Sequence, residues 1–490
     1  MKKIASLLLS ASLCLSAVSA QALTLTGFES ERLGRDWSQS RFFTRMEELT
    51  GISMTATAVS DRNEYTKLLD DLAKGTIPAD VLFKANLNRS QERQLLDAGA
   101  IIDLAPLIEE NMPNLSALLD AHPDWRAAIE LEDGRIASLP LFNEHERQIC
   151  VWINRAWLDQ LGLDMPTTVD ELTHALSLMQ TADLNGNHKP DEIPADFTGV
   201  FEIRFLLPYF GIVADDYNLA RQPDGSLVFA PDLPAYRDFI ALLHDWCEKG
   251  ILSPDAFTNM HSAQAMNTGK RETVSGLLVS PTPYTHVPVE TVEQYEALLM
   301  PGPDGTVRWR DFLGSVWTGC FAVTRSCEAP AQALRWADAL YSEEGALLAF
   351  AGKEGEDYTF KDDGKWIFAA DTAQGVNDIR ISSIIYTGIP VPGLYPGDFI
   401  ESVDSAADQH VFSEYRRVRP VSERVTEPYV LSAADQARAT ELSMTLVELV
   451  DSGIARFATG EVELTDENYT AWLDSLHVAG SNELVSLFAK

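Results

Sequence analysis

The 490-residue sequence has few cysteines and few basic residues for its length. It contains five cysteines, and 38 Lys and Arg residues stand against 73 Asp and Glu, so the formal net charge is −35. A strongly negative protein repels phosphate backbones and anionic lipid surfaces, and no segment concentrates Lys or Arg into a patch. The composition therefore argues against a nucleic-acid partner or an anionic membrane surface, and favours an uncharged small ligand.

The sequence also lacks the common signatures of catalysis. It has no G-x-S-x-G elbow, no H-E-x-x-H pair and no Gly-rich phosphate loop, and its nine histidines are scattered without ligand spacing. Neighbouring acids such as Glu343 and Glu344 are typical of a solvated helix face in so acidic a chain. His145, between Glu144 and Glu146, suggests acid–base chemistry, but a surface turn of mixed charge explains it more simply. We therefore expect a protein that is not an enzyme.

Long apolar runs are absent except at the start of the chain. Lys2 and Lys3 precede the apolar run 4–18, and small residues follow up to Ala22. This order is typical of a secretory signal peptide over 1–22, and the run is shorter than the roughly 20 residues that span a bilayer. We expect an exported protein, periplasmic or on the cell surface. A lipid anchor at Cys14 is not favoured, because the residues before it lack the usual lipoprotein pattern.

Four cysteines remain beyond the signal peptide, at Cys150, Cys247, Cys320 and Cys327. An exported chain of this size can bury a large core and needs no disulfide framework. Pairing of Cys320 with Cys327 would need a sharp reversal beside the apolar stretch that they flank. We expect buried free thiols, with three disulfide connectivities left open.

The length predicts two or more lobes, because a single hydrophobic core stops growing at about 250 to 300 residues. Apolar patterning predicts strands over 23–28, 52–59 and 79–83, with helices over 41–49 and 64–72 between them. Alternating strands and helices indicate a parallel sheet, whose ligands bind at the carboxyl ends of the strands. A second lobe begins near Trp152, and one of its helices is expected to start at a capping box formed by Thr168 and Glu171. No linker of biased composition separates the lobes.

The polar loop 183–192 is the most specific local motif. Asp183, Asn185, Asn187, Asp191 and Glu192 present oxygen atoms at alternating positions, which suits a hard cation such as Ca²⁺. The loop departs from an EF-hand, because His188 stands where Gly is expected and Pro194 where Glu is expected. A plain Asn-Gly turn with solvated acids is the alternative, and either structure would have a local structural role.

Several aromatic residues lie near Gly, Pro or predicted strand edges and off any helical stripe. They are Trp152, Tyr284, Trp309, Trp317, Tyr386 and Tyr395. Aromatic side chains on loops can stack on the apolar faces of sugar rings, while polar neighbours bind the hydroxyl groups. Each of them alone is better explained by packing, but as a set they favour a carbohydrate cleft.

The order of several short segments resembles one protein family. The matching segments are 133–140 (D-G-R-I-A-S-L-P), 157–163, 166–172, 183–194, 224–229, 248–252, 340–345, 353–358 and 457–460. Together they resemble the extracellular solute-binding proteins of family 1, which are the oligosaccharide-binding subunits of bacterial ABC importers. The long members, which include alginate-binding and LipO-like proteins, are the most similar.

This resemblance implies an α/β, two-lobed periplasmic-binding-protein type II fold with a hinge and a ligand cleft between the lobes. After the signal peptide, the first lobe would comprise 23–140 and 313–375, and the second lobe 141–312 and 376–490. The resemblance also implies structural Ca²⁺ held by Asp183, Asn185, Asn187, the carbonyl of Lys189, Asp191 and Glu192. The expected partners are an oligosaccharide and ABC-transporter permease subunits, and the protein is expected to be a monomer.

The residues that contact the sugar do not lie in a family motif, so their choice rests on loop position. The candidates are Glu29, Asn86, Asn143, Trp152, Trp317, Glu354 and Tyr395. Two other functions stay open from the sequence. One is an exported glycosidase with two carboxylates across the cleft, and the other is a binding protein tuned to peptides or to a sensor kinase.

Overall fold

The computed structural model describes residues 22–29, 35–143, 148–222, 224–257, 272–311, 315–425 and 431–489. The signal peptide with Cys14, the His145 turn and most of the loop after Glu29 lie outside these residues. The strands are β1 Leu23–Phe28, β2 Met54–Val59, β3 Val81–Phe83, β4 Leu139–Phe142, β5 Cys150–Asn154, β6 Ile193–Asp196, β7 Leu219–Arg221, β8 Leu227–Phe229, β9 Ser275–Ser280, β10 Tyr295–Ala297, β11 Trp309–Arg310, β12 Val316–Val323, β13 Tyr358–Phe360, β14 Trp366–Phe368, β15 Gly393–Leu394 and β16 Ser422–Glu423.

Helices cover both sheets. They are α1 Arg41–Thr50, α2 Arg62–Ala73, α3 Arg89–Asp97, α4 Ala105–Asn111, α5 Pro113–Ala121, α6 Pro123–Ile129, α7 Arg155–Leu161, α8 Val169–Met179, α9 Val200–Ile203, α10 Pro234–Glu248, α11 Pro330–Asp338, α12 Glu343–Phe350, α13 Ala373–Ser383, α14 Gly397–Glu401, α15 Ala406–Val418, α16 Ala433–Ala458, α17 Asp466–Val478 and α18 Ser481–Phe488. Among the described residues, none of these helices combines the length and the apolar character that crossing a membrane requires.

The first lobe is built on a six-stranded sheet in the order β15-β4-β12-β3-β1-β2. Strand β1 pairs in parallel with both β2 and β3, which confirms the predicted parallel arrangement of the first three strands. Strand β12 returns from much later in the chain and pairs antiparallel with β3 and β4. The carboxyl ends of β1 and β3 therefore lie side by side at one edge of the sheet.

The second lobe is built on a four-stranded sheet in the order β10-β5-β9-β6. Its hydrophobic core is separate from that of the first lobe. Strand β5 is fully buried on both faces, because helices and the neighbouring strands cover it. The long helix α16 and helix α10 pack against each other over this core.

The chain crosses between the two sheets several times, as expected from the missing linker. One crossing lies between β4 and β5, and another between β11 and β12. Strand β15 pairs in parallel with β4 of the first sheet, whereas the sequence had placed the segment from 376 onward in the second lobe. The two-residue strand Gly393–Leu394 is too short for an alternating pattern, so only its partner strand reveals its place.

Helix α8 begins directly after the predicted cap residue Thr168, but only one of the two bonds of the predicted capping box forms as expected. The Thr168 hydroxyl accepts a hydrogen bond from the Glu171 N–H at 3.2 Å, as a capping residue should. The Glu171 carboxylate, however, binds the N–H and the hydroxyl of Thr167, both at 2.8 Å. The return bond of the predicted capping box therefore reaches one residue further than expected.

The four cysteines of the described chain are free thiols, as expected. Cys150 and Cys320 lie in strands and are fully buried, while Cys247 and Cys327 are half-buried. Burial raises the pKa of the Cys247 thiol to about 11. A high thiol pKa keeps the thiolate fraction low and the side chain unreactive.

A glycine in β12 lets the backbone of the loop after β3 approach this strand closely. Gly319 has a φ of 75° at an irregularity in the pairing of β12 with β4, and its carbonyl accepts a hydrogen bond from the Leu87 N–H at 3.1 Å. A Cβ atom at this position would lie 1.9 Å from the Leu87 carbonyl oxygen. No side chain larger than hydrogen fits without moving the backbone.

We predict that Gly319→Ala lowers the free energy of unfolding by about 2 to 5 kcal/mol. About 1 to 2 kcal/mol comes from the left-handed conformation and about 1 to 3 kcal/mol from the overlap. Gly364→Ala is the matched control, because Gly364 also has a positive φ of 83° but no atom within 4 Å of the added Cβ. Urea unfolding of both variants measures the difference, and equal losses would contradict this explanation.

Candidate functional site

A cavity of about 400 Å³ lies between the two hydrophobic cores. Phe350 and Tyr395 belong to the first-lobe core and line one side of it, and Tyr386 packs beside them. Phe412 and Tyr415 of helix α15 belong to the second-lobe core and line the other side. The cavity is therefore the place where the two lobes meet around a shared space.

The aromatic walls are held by ring contacts within each lobe. Phe350 stacks on Tyr386 with ring centroids 4.5 Å apart and meets Tyr395 edge-on at 5.0 Å. Trp366 also lines the cavity and stacks on Phe399 at 4.9 Å. These rings are fixed before any ligand arrives, so binding costs little side-chain entropy.

Polar groups are interspersed among the rings. Among the described residues that line the cavity, the charged ones are Arg35, Arg380 and Asp408. The Arg380 guanidinium lies 5.2 Å from the centroid of the Phe368 ring. Thr282 and Thr387 add hydroxyl groups from the second and first lobes. An apolar surface with a few directed polar groups is typical of a small-molecule site.

A buried ion pair adjoins the cavity at the edge of the first sheet. The Lys84 ammonium lies 2.9 Å from the Glu29 carboxylate, and both side chains are fully buried. Glu29 follows β1 and Lys84 follows β3, so the parallel pairing of these strands brings the two residues together. The pair thus lies at the carboxyl ends of these strands, the edge of the sheet where the sequence predicts a ligand.

The two members of this pair respond differently to burial. Burial lowers the pKa of Lys84 to about 8, although the Glu29 carboxylate acts in the opposite direction. Burial alone would raise the pKa of Glu29, but Lys84, Trp37 and Arg35 together bring it below its ordinary value. Both groups are therefore charged near neutral pH, and each depends on the other.

Two of the seven candidate ligand residues lie at this site. Tyr395 lines the cavity, and Glu29 contacts Thr387 of the cavity wall through a 3.0 Å hydrogen bond. Asn86 is exposed on the loop after β3 with a positive φ of 49°. Asn143 is buried at the end of β4, where its N–H binds the Ser315 carbonyl at 2.8 Å.

The other three candidates lie away from the cavity. Trp152 is fully buried in β5, and its indole N–H donates to the Ser280 carbonyl at 2.9 Å, so its ring has no exposed face for a sugar. Trp317 is half-buried against the first-lobe core. Glu354 is exposed in a separate polar depression that Glu343 and Glu344 also line.

The loop-borne aromatics divide in the same way. Tyr284 and Tyr386 line the cavity together with Tyr395. Trp309 is buried, and its indole N–H donates to the Ile149 carbonyl at 2.8 Å. Sequence reasoning missed Phe412 and Tyr415, because their spacing on a helix is the spacing of an ordinary core stripe. Phe350 was missed for the same reason, since it ends a helix whose other large residues are core.

The loop 183–192 folds around its own oxygen atoms. The Glu192 carboxylate accepts the Leu184 N–H at 2.8 Å, and the Asp183 carboxylate accepts the His188 N–H at 3.1 Å. Asp191 accepts both side-chain amides, from Asn185 at 3.0 Å and from Asn187 at 2.9 Å. Each of the three carboxylates is therefore held by N–H groups of the same loop.

Two further features of this loop bear on a cation. His188 has a φ of 62°, the left-handed conformation for which a Gly was expected at this position. Glu272, 85 residues later in the chain, accepts a hydrogen bond from the Asn187 amide at 2.7 Å. No local pattern could have revealed this fourth acid. Within the described ranges, no three His, Cys, Asp or Glu side chains are arranged to hold a metal ion. Amide and carbonyl oxygens are therefore needed to complete a site.

Comparisons with known proteins agree with this geometry. No family model matches the chain. A fructooligosaccharide ABC transporter substrate-binding protein of Streptococcus pneumoniae serotype 4, named FusA, is 32% identical over 235 residues. That alignment covers 46% of this chain and 43% of the relative, so it spans less than half of either protein.

Solved structures match nearly the whole chain at lower identity. The FusA complex with kestose is 20% identical with a TM-score of 0.79, and the match covers 96% of this chain and 98% of that one. An HMO-binding, ABC-transporter-associated solute-binding protein from Bifidobacterium longum infantis is 19% identical with a TM-score of 0.80, covering 96% and 97%. The chain has the two-lobed fold of these solute-binding proteins. An alginate-binding protein is also similar, at 18% identity with a TM-score of 0.74, over 96% of this chain and 97% of that one. The expected fold class and the resemblance to extracellular solute-binding proteins are confirmed.

Proposed function

We propose that this protein is the substrate-binding receptor of a bacterial ABC importer and binds an oligosaccharide in the cavity between its two lobes. The observation that carries the proposal is the set of aromatic walls contributed by both cores, with Tyr386 and Tyr395 on one side and Phe412 and Tyr415 on the other. Stacking on sugar rings needs such surfaces. Closure of the lobes would bring both walls onto the same ligand.

The charges around the cavity favour a neutral sugar. Arg35 lies 4.0 Å from the buried Glu29 carboxylate and donates to the Arg380 and Ile384 carbonyls, so its guanidinium is already engaged by the protein. Among the described residues of the lining, this leaves Arg380 and Asp408, one of each sign. A carboxylate and a guanidinium can accept from and donate to sugar hydroxyls, whereas a polyanionic ligand would meet Asp408 and an acidic protein surface. FusA, whose printed ligands are kestose and fructo-nystose, supports the same class.

The partners follow from this role. We propose that the protein acts outside the cytoplasmic membrane, in the periplasm or on the cell surface, and delivers its sugar to ABC-transporter permease subunits as a monomer. The name of the relative, a substrate-binding protein of an ABC transporter, supports this context. The signal-peptide pattern at 1–22 supports export.

The alternative from the sequence, an exported glycosidase, requires a pair of carboxylates about 5 to 9.5 Å apart across the ligand. Asp408 is the one carboxylate among the described residues lining the cavity. Incubation with an oligosaccharide that is bound distinguishes the two functions. Release of shorter sugars would favour the enzyme.

We predict that titration calorimetry detects binding of neutral oligosaccharides such as kestose or maltotriose, and weaker or no binding of acidic alginate oligosaccharides. Tyr386→Ala should weaken binding of the preferred sugar by about tenfold or more, equivalent to about 1.4 kcal/mol, because it removes a stacking surface.

Phe201→Ala is the matched control for this substitution. Phe201 is an aromatic residue of the second lobe that is 37% exposed and does not line the cavity. Its removal should leave the affinity unchanged. Failure of every sugar in the panel to bind, or an equal loss of affinity in both variants, would contradict the assignment.

We also propose that the loop 183–192 binds structural Ca²⁺. The donors would be the side chains of Asp183, Asn185, Asn187, Asp191 and Glu192 and the carbonyl of Lys189. These are the hard oxygen ligands that Ca²⁺ prefers, and each of the three carboxylates already accepts a hydrogen bond from another group of the loop. The existence of a FusA EF-hand mutant indicates that a related protein has such a site. The ion would tie α8 to β6, which the loop connects.

We predict that Ca²⁺ added after chelation raises the melting temperature of this protein. At a Ca²⁺ concentration of 100 times Kd, the stabilisation would be about 2.7 kcal/mol. The double variant Asp183→Asn/Asp191→Asn should lose this gain. Asp224→Asn, which changes an exposed carboxylate in a surface turn of the same lobe, should keep it. A wild-type melting temperature that does not respond to Ca²⁺ would contradict the site.

A further inference from the structure

One wall of the cavity is a short segment at the end of helix α13. Residues 380–387 contribute Arg380, Ile381, Ile384, Tyr386 and Thr387 to the lining. The last carbonyl groups of a helix have no partners within it and need donors from elsewhere. Here the donors come from the carboxyl edge of the first sheet and the loop that follows β1. The Arg35 guanidinium donates to the carbonyls of Arg380 and Ile384.

All three N–H donors of the Lys84 ammonium are used, two by the cavity wall and one by Glu29. Its ammonium donates to the Ile385 carbonyl at 3.0 Å, to the Thr387 hydroxyl at 2.8 Å and to the Glu29 carboxylate at 2.9 Å. The Thr387 hydroxyl in turn donates to Glu29 at 3.0 Å, which closes a ring of hydrogen bonds. The Trp37 indole N–H donates to Glu29 at 3.2 Å and fixes the carboxylate from behind.

Burying this ion pair costs free energy, so the pair is a poor means of stabilising the fold alone. Two charges buried together lose their hydration, and an apolar pair of the same size is often as stable. Lys84 also has a φ of 50°, a conformation that costs energy for a residue with a side chain. The arrangement does provide direction, because two donors of Lys84 and two of Arg35 each bind one atom of the cavity wall.

We propose that Lys84 is a positioning residue for the ligand cavity: with Glu29 and Arg35 it holds the segment 380–387 in the conformation that presents Tyr386 and Thr387 to the ligand. This inference rests on the proposed function, since it assigns a role in binding to Lys84, which does not itself line the cavity. If the wall were free to move, only the fraction of molecules with the wall in place would bind.

The protonation of Lys84 provides a distinctive readout. The charged groups that face its ammonium are Glu29 and Arg35, and the neutral Trp37 ring lies 5.9 Å away. Burial lowers the pKa of Lys84 to about 8, with Glu29 opposing the shift. As the pH rises above about 8, the folded protein therefore loses this proton and the hold on the wall weakens.

The same rise in pH, which weakens the hold on the wall, has the opposite effect on the stability of the fold. An unfolded lysine keeps its proton up to a pH of about 10.4. Between about pH 8 and that value the unfolded chain binds more protons than the folded one, so this group raises the free energy of unfolding as pH rises. A loss of affinity over this range would therefore not come from unfolding caused by Lys84.

The test compares Lys84→Met with the wild type by two measurements. Hydrogen–deuterium exchange of the ligand-free protein should show faster exchange in peptides covering 380–387. Calorimetry with kestose, or with the tightest neutral sugar of the panel if kestose does not bind, should show an affinity about tenfold lower or more. The wild-type affinity should also fall above about pH 8, and this dependence should be absent in Lys84→Met.

Two further variants separate positioning from folding. Asp338→Asn removes a buried carboxylate of the same lobe that does not line the cavity and accepts hydrogen bonds from the N–H groups of Asn114 and Leu115. It should lower the melting temperature without changing affinity or exchange at 380–387. Glu29→Gln/Lys84→Met removes both charges of the pair, so it should fold even if Lys84→Met does not. Its affinity for the sugar should again be lower than that of the wild type.

The outcomes decide the proposal independently of the sugar assignment. Unchanged exchange at 380–387 in the lysine variants overturns it, and so does faster exchange with unchanged affinity and an unchanged pH profile. If no sugar binds the wild type, the proposed function fails, while exchange still decides whether Lys84 holds the wall.

Discussion

Two hydrophobic cores meet across one cavity through aromatic rings, and each set of rings is anchored in the core of its own lobe. Phe350 and Tyr395 are anchored in the core of the six-stranded sheet, while Phe412 and Tyr415 are anchored in the core of the second sheet. Because the chain crosses several times between the sheets, neither wall can move without bending those crossings. The position of the cavity walls therefore depends more on the chain topology than on any single side chain.

Polar groups at the cavity are arranged by the ends of strands. Parallel pairing of β1 and β3 places Glu29 beside Lys84, and that buried pair binds the Ile385 carbonyl and the Thr387 hydroxyl of the cavity wall. A buried charge without partners would be costly, so the pair and the wall depend on each other. Hydrogen bonds and ring contacts occur together at this edge of the sheet. The apolar cavity therefore also has polar donors and acceptors in defined positions.

Much of this architecture could be predicted from the sequence, because its signals are periodic or local. The first three strands and the free thiols belong to this group, whereas Ca²⁺ binding by the Asp183 loop stays a prediction. The ligand wall could not be predicted in the same way. Phe412 and Tyr415 follow a helical spacing that every core helix shows, and Glu272 approaches Asn187 only through the folded chain. Trp152 was a poor candidate because an aromatic residue in a fully buried strand has no free face.

The most direct test of the central claim is a crystal structure of the protein grown with the neutral oligosaccharide that binds it most tightly. The account predicts sugar rings between Tyr386 and Tyr395 on one lobe and Phe412 and Tyr415 on the other, with hydroxyl groups near Arg380 and Asp408. Sugar bound anywhere else, such as in the polar depression beside Glu354, with the aromatic cavity empty, would contradict it.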